Sequence, residues 1–144
     1  MSYDVALGHH LQRSLCRDLE LPMSQLQPDA DGDIAVVVDG VTSFVRVLTG
    51  GFARVWSVSA VDLKATVKVL REINGWNRTL TGARALLTDG GRVIIAGEIL
   101  AESIEPGELG ALVRVVTSCA GELGPLLNLV HGTPAPAHSR EVDR

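Results

Sequence analysis

Glycine-containing turns divide the middle of this chain into short apolar segments, and their spacing constrains the fold more than any other feature. Asp39-Gly40, Gly50-Gly51 and Asp89-Gly90-Gly91 each separate two apolar runs. Such turns suit the positive φ angles of tight hairpins, which glycine adopts without steric cost. The pattern predicts five antiparallel strands, over residues 34–38, 42–49, 52–61, 83–88 and 92–100.

Helical periodicity flanks and interrupts these strands. Leucines at four-residue spacing predict a first helix over residues 2–21, which ends before Pro22. A second helix is predicted from a cap at Asp62 to Ile73. The dipeptide Asn74-Gly75 is a typical helix stop.

A third helix is predicted to open at Glu105-Pro106, and Pro125 is expected to kink or end it. The element order is then α-β-β-β-α-β-β-α, an α+β fold with an antiparallel five-stranded sheet. We expect one domain over residues 1–132. The segment 133–144 lacks periodic apolar residues and is predicted to be disordered.

The predicted register of the central hairpin distributes apolar side chains over both faces of the sheet. With a two-residue loop at Gly50-Gly51, each face carries apolar residues and one arginine. A solvent-facing side is normally polar, so we expect the second face to have a partner. The predicted facing pairs are Val45–Trp56, Val47–Arg54, Phe44–Ser57, Arg46–Val55 and Leu48–Ala53.

Composition and charge argue against several classes of function. The chain has two phenylalanines, two tryptophans, one tyrosine and a net charge of −4. Nucleic-acid readers need stacking aromatics beside basic grooves, so no nucleic-acid partner is expected. No run approaches the ~18 consecutive apolar residues of a membrane span, and the start MSYDVALGHH does not resemble a signal peptide. Two distant cysteines make no disulfide framework, so we expect a cytoplasmic protein.

Residues that imitate catalytic or metal sites lack the required spacing. Asp29, Asp31 and Asp33 resemble the start of a calcium loop, but the glycine and the glutamate that should follow are missing. Cys119 lies on the apolar stripe of the third helix, where a small buried side chain is usual. Glu98 interrupts an apolar strand, as an edge or solvent-facing residue would. We therefore predict no enzyme activity, no metal site and no cofactor.

The charges are segregated along the chain. Residues 40–97 contain eight basic and three acidic side chains, a net charge of +5, between two acidic segments. Such a block could attract an acidic peptide, an acidic partner domain or the acidic segments of a second copy. Surface charge that only keeps the domain soluble is the alternative.

The string EINGWNRT is the most distinctive short segment. Asn74, Trp76 and Asn77 follow the stripe residue Leu70 of the second helix. A helix cap with one core tryptophan accounts for them, and so does a dimer or ligand contact. In either case we expect the asparagine side-chain amides to form hydrogen bonds that hold the following turn in place.

Two longer segments carry a resemblance to a family. These segments, VDLKATVKVLREINGWNRT and ARALLTDGGRVIIAGEIL, together with the helix after Glu105-Pro106, resemble type III secretion chaperones and the related YbjN-type peptide-binding chaperone-like domains. The resemblance extends from about Val36 to Leu129. It implies a small, acidic, usually homodimeric protein that holds unfolded client segments against apolar patches on the first helix and the sheet. YbjN-like proteins have also been described as candidate regulators of sensory transduction.

These observations together predict a non-catalytic, homodimeric module that binds a protein or peptide client by strand addition or groove docking. A regulatory protein that docks an acidic partner through residues 40–97 is the alternative. The 46% hydrophobic content is the main reason to expect a partner, because three helices cannot cover both faces of the sheet. Client contacts are predicted at Phe44, Arg46, Arg54 and Trp56, and dimer or turn anchors at Leu70, Asn74, Trp76 and Asn77.

Overall fold

The computed structural model describes residues 2–131 of the 144-residue chain. Within them lie three helices and one antiparallel five-stranded sheet, which confirms the predicted α+β class and element order. The segment 133–144, predicted to be disordered, lies outside the described residues. The elements are α1 (Ser2–Leu19), β1 (Ile34–Val38), β2 (Val41–Val47), β3 (Phe52–Ala60), α2 (Val67–Thr79), β4 (Arg84–Leu87), β5 (Val93–Leu100) and α3 (Glu108–His131).

The sheet has two faces of different character. Its strand order is β1-β2-β3-β5-β4, with every neighbouring pair antiparallel. Helices α1 and α3 pack over one face, and α2 packs beside the edge strand β4. The core lies between the helices and this inner face, and its fully buried residues include Leu11, Leu15, Val45, Val55, Ile95 and Leu109. We call the opposite side of the sheet the outer face.

The first hairpin has the tight turn predicted at Asp39-Gly40. Val38 pairs with Val41, so the loop between them consists of Asp39 and Gly40 alone. Both adopt positive φ, +51° at Asp39 and +78° at Gly40. This is the geometry of a two-residue hairpin turn whose twist matches the flanking strands.

The register predicted for the second hairpin is wrong by one residue. The Leu48 amide donates to the Phe52 carbonyl at 2.7 Å, so Thr49 joins Gly50-Gly51 in a three-residue loop. Val45 therefore faces Val55 rather than Trp56. A shift of one residue in the pairing of two strands moves every side chain of one strand to the other face. The observed register places Val45, Val55 and other small or apolar side chains together on the inner face. The expectation that both faces carry a mixture is wrong as well.

Helix α2 is displaced toward the C-terminus from its predicted position. Its cap is Thr66, whose hydroxyl accepts a hydrogen bond from the Val69 amide at 3.2 Å, whereas Asp62 lies outside the helix. The helix continues through Asn74-Gly75 to Thr79. A glycine inside a helix costs only ~1 kcal/mol, and the packing of the next residue, Trp76, against the core offsets that cost.

The other two helix ends also differ from the prediction. Helix α1 ends at Leu19, two residues before the predicted end, where Glu20 adopts a φ of +54°. Helix α3 does not end at Pro125 but continues to His131, because Leu127 beyond the proline is fully buried. The stretch Glu108–Val130 is long and apolar enough to cross a membrane, but 44% of its most apolar window is buried in the fold, as is typical of a core helix.

Asp18 joins α1 to the start of α3. Its carboxylate accepts hydrogen bonds from the Gly107 and Gly110 amides, each at 3.0 Å, and its side chain is only 2% exposed. Gly107 directly precedes α3 and Gly110 lies in its first turn, where the N–H groups lack partners within the helix. Burial raises the pKa of Asp18, but the hydrogen bonds from Gly110, Arg17 and Gly107 outweigh it and hold the pKa below its usual value.

Asp18→Asn is expected to lower the free energy of unfolding by about 1–2 kcal/mol at neutral pH, because it removes a charged helix cap. The lowered pKa means that this contribution is present above the unfolded-state pKa of about 3.9 and disappears as pH falls through the folded-state pKa. Urea unfolding at pH 7 and below pH 4 measures both effects. Asp31→Asn, at an exposed position, is the control; equal stabilities of all three proteins at pH 7 would contradict the assigned cap.

Candidate functional site

The four predicted client-contact residues lie together on the outer face. Phe44 pairs with Trp56, and Arg46 pairs with Arg54, across β2 and β3. The predicted register had placed them on opposite faces, so the one-residue shift is what brings them together. The face continues over β5, where Arg54 pairs with Glu98 and Trp56 pairs with Ala96.

Rows of side chains cross the outer face at right angles to the strands, two residues apart along β3. The first row contains Phe52 and Leu100, and three further rows follow at Arg54, Trp56 and Val58. We name these three the charged row (Arg46, Arg54 and Glu98), the aromatic row (Phe44, Trp56 and Ala96, with Arg84 of β4 opposite Ala96) and the aliphatic row (Val58, Ile94 and Leu86).

The aromatic row is built around a stacked pair. The ring centroids of Phe44 and Trp56 are 5.5 Å apart, with an angle of 29° between the rings. The guanidinium carbon of Arg46 lies 5.5 Å from the Trp56 ring centroid, within the range of a cation–π contact. Both rings are half-buried, although none of the three described helices packs on this face. The pair therefore presents a flat apolar surface with a cation at its border.

The arginines of the outer face are held by two carboxylates. Arg46 binds Asp33, which precedes β1, through Nε and through Nη2 at 2.9 Å. Glu98 accepts from Arg84 at 2.6 and 3.0 Å and from Arg54 at 2.9 Å. The hydrogen bonds from Arg84 hold the pKa of Glu98 below its usual range, although burial acts in the opposite direction. Glu98 is thus a charged partner of two arginines and not a carboxyl poised to donate a proton.

A shallow depression of about 210 Å³ extends across the charged and aromatic rows, from Leu48 to Leu86 and Ile94. Apolar side chains of this face are exposed to solvent: Leu86 in the lining is 42% exposed, and Val58 and Phe52 outside it are 36% and 42% exposed. Neighbouring apolar side chains on a surface are typical of binding sites. The depression is lined by Arg46, Leu48, Arg54, Trp56, Leu86, Ile94 and Ala96.

The residues of the EINGWNRT string have separate positions on α2. Trp76 is half-buried and packs against the core, whereas Leu70 is 43% exposed and Asn74 is exposed. The Asn77 amide donates to the Ala85 carbonyl at 2.9 Å and accepts from the Ala85 amide at 2.7 Å. Asn77 therefore satisfies the outward-pointing backbone groups of Ala85 in the edge strand β4.

The opposite edge strand, β1, borders a larger groove of about 620 Å³. Val37 and Val38 line one side, and Arg114 and Glu122 of α3 line the other. Within the part of the chain that the structure describes, no group beyond β2 forms a hydrogen bond to β1. The structure thus offers an open strand edge beside a groove.

The acidic residues before β1 serve the fold itself. The carboxylates of Asp29, Asp31 and Asp33 lie within 4.8 Å of one another. Asp29 accepts hydrogen bonds from the amides of Asp31 and Asp33, at 2.9 and 3.0 Å, and the Asp33 carboxylate binds Arg46. The cluster shapes the loop and positions an arginine of the outer face.

Comparison with known proteins identifies the family. Residues 8–134 match the family TY-Chap1, described as the T3SS (YopN, CesT) and YbjN peptide-binding chaperone 1. The chain belongs to this family. The resemblance predicted from the sequence is therefore confirmed. No curated protein sequence matches the chain significantly.

Solved structures share the TY-Chap1 fold of this chain at low sequence identity. The ExsC–ExsE complex matches with a TM-score of 0.64 and 18% identity, over 86% of this chain and 95% of that one. The Yersinia pestis type III secretion chaperone SycH, in complex with a stable fragment of YscM2, matches at 0.61 and 14%, over 79% and 96%. The Pseudomonas aeruginosa ExoU–SpcU complex matches at 0.61 and 14%, over 83% and 98%. These similarities establish the fold.

Some residues of this TY-Chap1 outer face were not predicted as parts of a site. In the sequence Asp33 resembles only part of a metal site, and Arg84 belongs to no distinctive pattern. Glu98, a carboxylate in an apolar strand, is the one local signal of an ion pair. Its partners could not be identified, because the β3–β5 pairing joins segments that are separated by α2 and β4.

Proposed function

We propose that this protein is a chaperone-like module that binds an extended segment of a client protein on its outer sheet face. One observation carries the proposal: the Phe44–Trp56 pair, bordered by Arg46 and Arg54, lies on a face that no helix within residues 2–131 covers. Aromatic and arginine side chains contribute most of the binding energy at many protein interfaces. Membership of a peptide-binding chaperone family supports the proposal.

The structural neighbours point to the same kind of partner. One is a type III secretion chaperone in complex with a protein fragment, and another is the HopA1–SchA chaperone–effector complex. We therefore place the client among proteins, with neither a membrane nor a nucleic acid as the partner. Cytoplasmic localisation in a bacterium is part of the same proposal. Capture of the native client by variants of the aromatic row tests it.

We favour docking across the face over addition of a strand to the sheet. A strand added at the open edge of β1 would lie three strand spacings from β3, or about 14 Å from Trp56. It would contact Val37 and the groove beside it, and not the aromatic pair. A client segment that contacts Trp56 must therefore lie on the outer face.

We also propose that the protein is a homodimer that associates through α2. Val67 and Leu70 are 65% and 43% exposed and lie three residues apart, on one side of this helix with Asn74. Exposed apolar residues at this spacing are typical of a helix that packs against a partner. Trp76 supports this surface indirectly, because it anchors α2 to the core.

Light scattering is expected to give twice the 15.3 kDa monomer mass at micromolar concentrations. Leu70→Glu should raise the dimer dissociation constant by about tenfold or more, because it buries a charge in an apolar contact. Lys68→Glu, at an exposed position on the same helix, is the control and should leave the dimer intact. A strict monomer over this concentration range would remove the dimer from the proposal.

Docking of an acidic partner domain through residues 40–97 is the second candidate function. The pairing of Arg46, Arg54 and Arg84 with Asp33 and Glu98 leaves only a small excess of positive charge on the outer face. Client capture that survives 1 M salt would support apolar docking, because salt screens exposed charges. Capture that is lost in high salt would favour the acidic partner.

A further inference from the structure

We propose that the outer face selects extended client segments that carry an acidic side chain followed, at every second position, by two apolar side chains. This inference rests on the proposed function and specifies the chemistry of its ligand. It follows from the order of the charged, aromatic and aliphatic rows, from their spacing, and from the charges on the charged row.

The spacing of the rows matches that of an extended peptide. Arg54, Trp56 and Val58 mark the three rows along β3 and are two residues apart. A strand rises about 3.4 Å per residue, so neighbouring rows are about 6.8 Å apart. A client segment that runs along the strands presents every second side chain at the same interval. Its side chains i, i+2 and i+4, read in either chain direction, therefore meet the three rows in turn.

The charged row lacks one carboxylate. Arg46 and Arg54 face each other directly, an arrangement of like charges that is unfavourable without compensation. Arg46 is bound by Asp33, but Arg54 must share Glu98 with Arg84. Among the described residues, three guanidinium groups on this face thus bind two carboxylates.

Arg54 is the group with free hydrogen-bonding capacity. Arg84 binds Glu98 through both terminal nitrogens, whereas Arg54 binds it through Nε alone. The side chain of Arg54 is 41% exposed and lines the depression. Its two terminal nitrogens could bind a client carboxylate, and charge-assisted bonds of this kind are among the stronger hydrogen bonds.

The next two rows accept apolar side chains. Ala96 in the aromatic row is small and buried, so the depression extends from Trp56 toward Ile94 and Leu86. Arg84, opposite Ala96, is bound to Glu98, and among the described residues no charged side chain lines that part of the depression. An apolar client side chain at i+2 would contact Trp56, and one at i+4 would cover the exposed Leu86 and Val58.

Short synthetic peptides test this pattern. The test peptide is Gly-Ser-Glu-Ser-Leu-Ser-Leu-Ser-Gly, labelled with fluorescein and titrated with the full chain in 0.15 M salt while anisotropy is measured. One comparison peptide replaces Glu by Gln. A second has the same composition in the order Gly-Ser-Ser-Glu-Leu-Leu-Ser-Ser-Gly, which breaks the two-residue spacing. We expect the test peptide to bind about tenfold more tightly than either.

Two protein variants assign the effect to the charged row. Arg54→Gln should bring the Glu and Gln peptides to within twofold of each other, whereas Arg13→Gln, at an exposed position on α1, should preserve the tenfold difference. Equal binding of the three peptides by the unchanged protein, or no binding of any, would overturn the pattern. An equal effect of Arg54→Gln and Arg13→Gln would overturn it too. None of these results would decide the proposed function, which depends on capture of the native client through Trp56.

Discussion

Gly124→Ala is expected to lower the free energy of unfolding by about 3 kcal/mol, a large fraction of the stability of a single domain. Gly124 lies where α3 crosses β3, and a Cβ atom there would be only 1.9 Å from the Ser59 carbonyl oxygen. Relief of this overlap requires movement of the helix away from the sheet. That movement would also break the bond from the Ser59 hydroxyl to the Ala120 carbonyl, now 3.0 Å.

Gly75→Ala is the matched control for this substitution. Gly75 lies inside α2, and a Cβ atom there would meet no atom within 4 Å. The same change should raise stability there by about 0.5–1 kcal/mol, because alanine is the better helix former. Urea unfolding of both variants measures the contrast. If Gly124→Ala proved as stable as the unchanged protein, the close packing of α3 on β3 would be incorrect.

The double substitution of Trp56→Ala with Arg54→Glu is expected to weaken capture of the native client by about 30-fold or more. It removes the central ring of the aromatic row and reverses the charge beside it. Central aromatic and arginine residues often contribute ~2 kcal/mol or more each to an interface. Immobilised protein and lysate of the native host, with the captured partner quantified by mass spectrometry, provide the measurement.

Arg13→Glu is the control for this experiment, because it changes the net charge by the same amount on α1, away from the outer face. Circular dichroism of each variant verifies that the fold is retained. Capture that is unchanged in the double variant would exclude the outer face as the client site. A reduction equal to that of Arg13→Glu would assign the effect to net charge alone.

The sequence predicted the element order because each strand boundary carries a local signal. Asp39-Gly40 and Asp89-Gly90-Gly91 each connect adjacent antiparallel strands, as expected. The register at Gly50-Gly51 was not determined locally, because two- and three-residue loops both accommodate two glycines with positive φ. What selects the three-residue loop is burial: it places Val45 and Val55 together under the helices.

The candidate site was predictable in composition but not in arrangement. Phe44, Arg46, Arg54 and Trp56 stood out as residues of one hairpin, yet the predicted register divided them between two faces. The ion pairs with Glu98 and Arg84 depend on contacts 44 and 14 residues apart in the chain. The predicted end of α2 is wrong for a similar reason. The helix continues past the local stop signal at Asn74-Gly75 because Trp76 packs against the core.

The pair of hydrogen bonds between Asn77 and Ala85 limits how these sheets can polymerise. Unpaired edge strands allow sheets to join into fibres, provided that each sheet has two open edges. In this protein the Asn77 amide binds the outward-pointing backbone groups of Ala85 in β4 and so blocks addition of a strand there, whereas β1 has no such partner among the described residues. Such a sheet can join one other sheet through β1, and growth then stops because the β4 edges do not accept a strand.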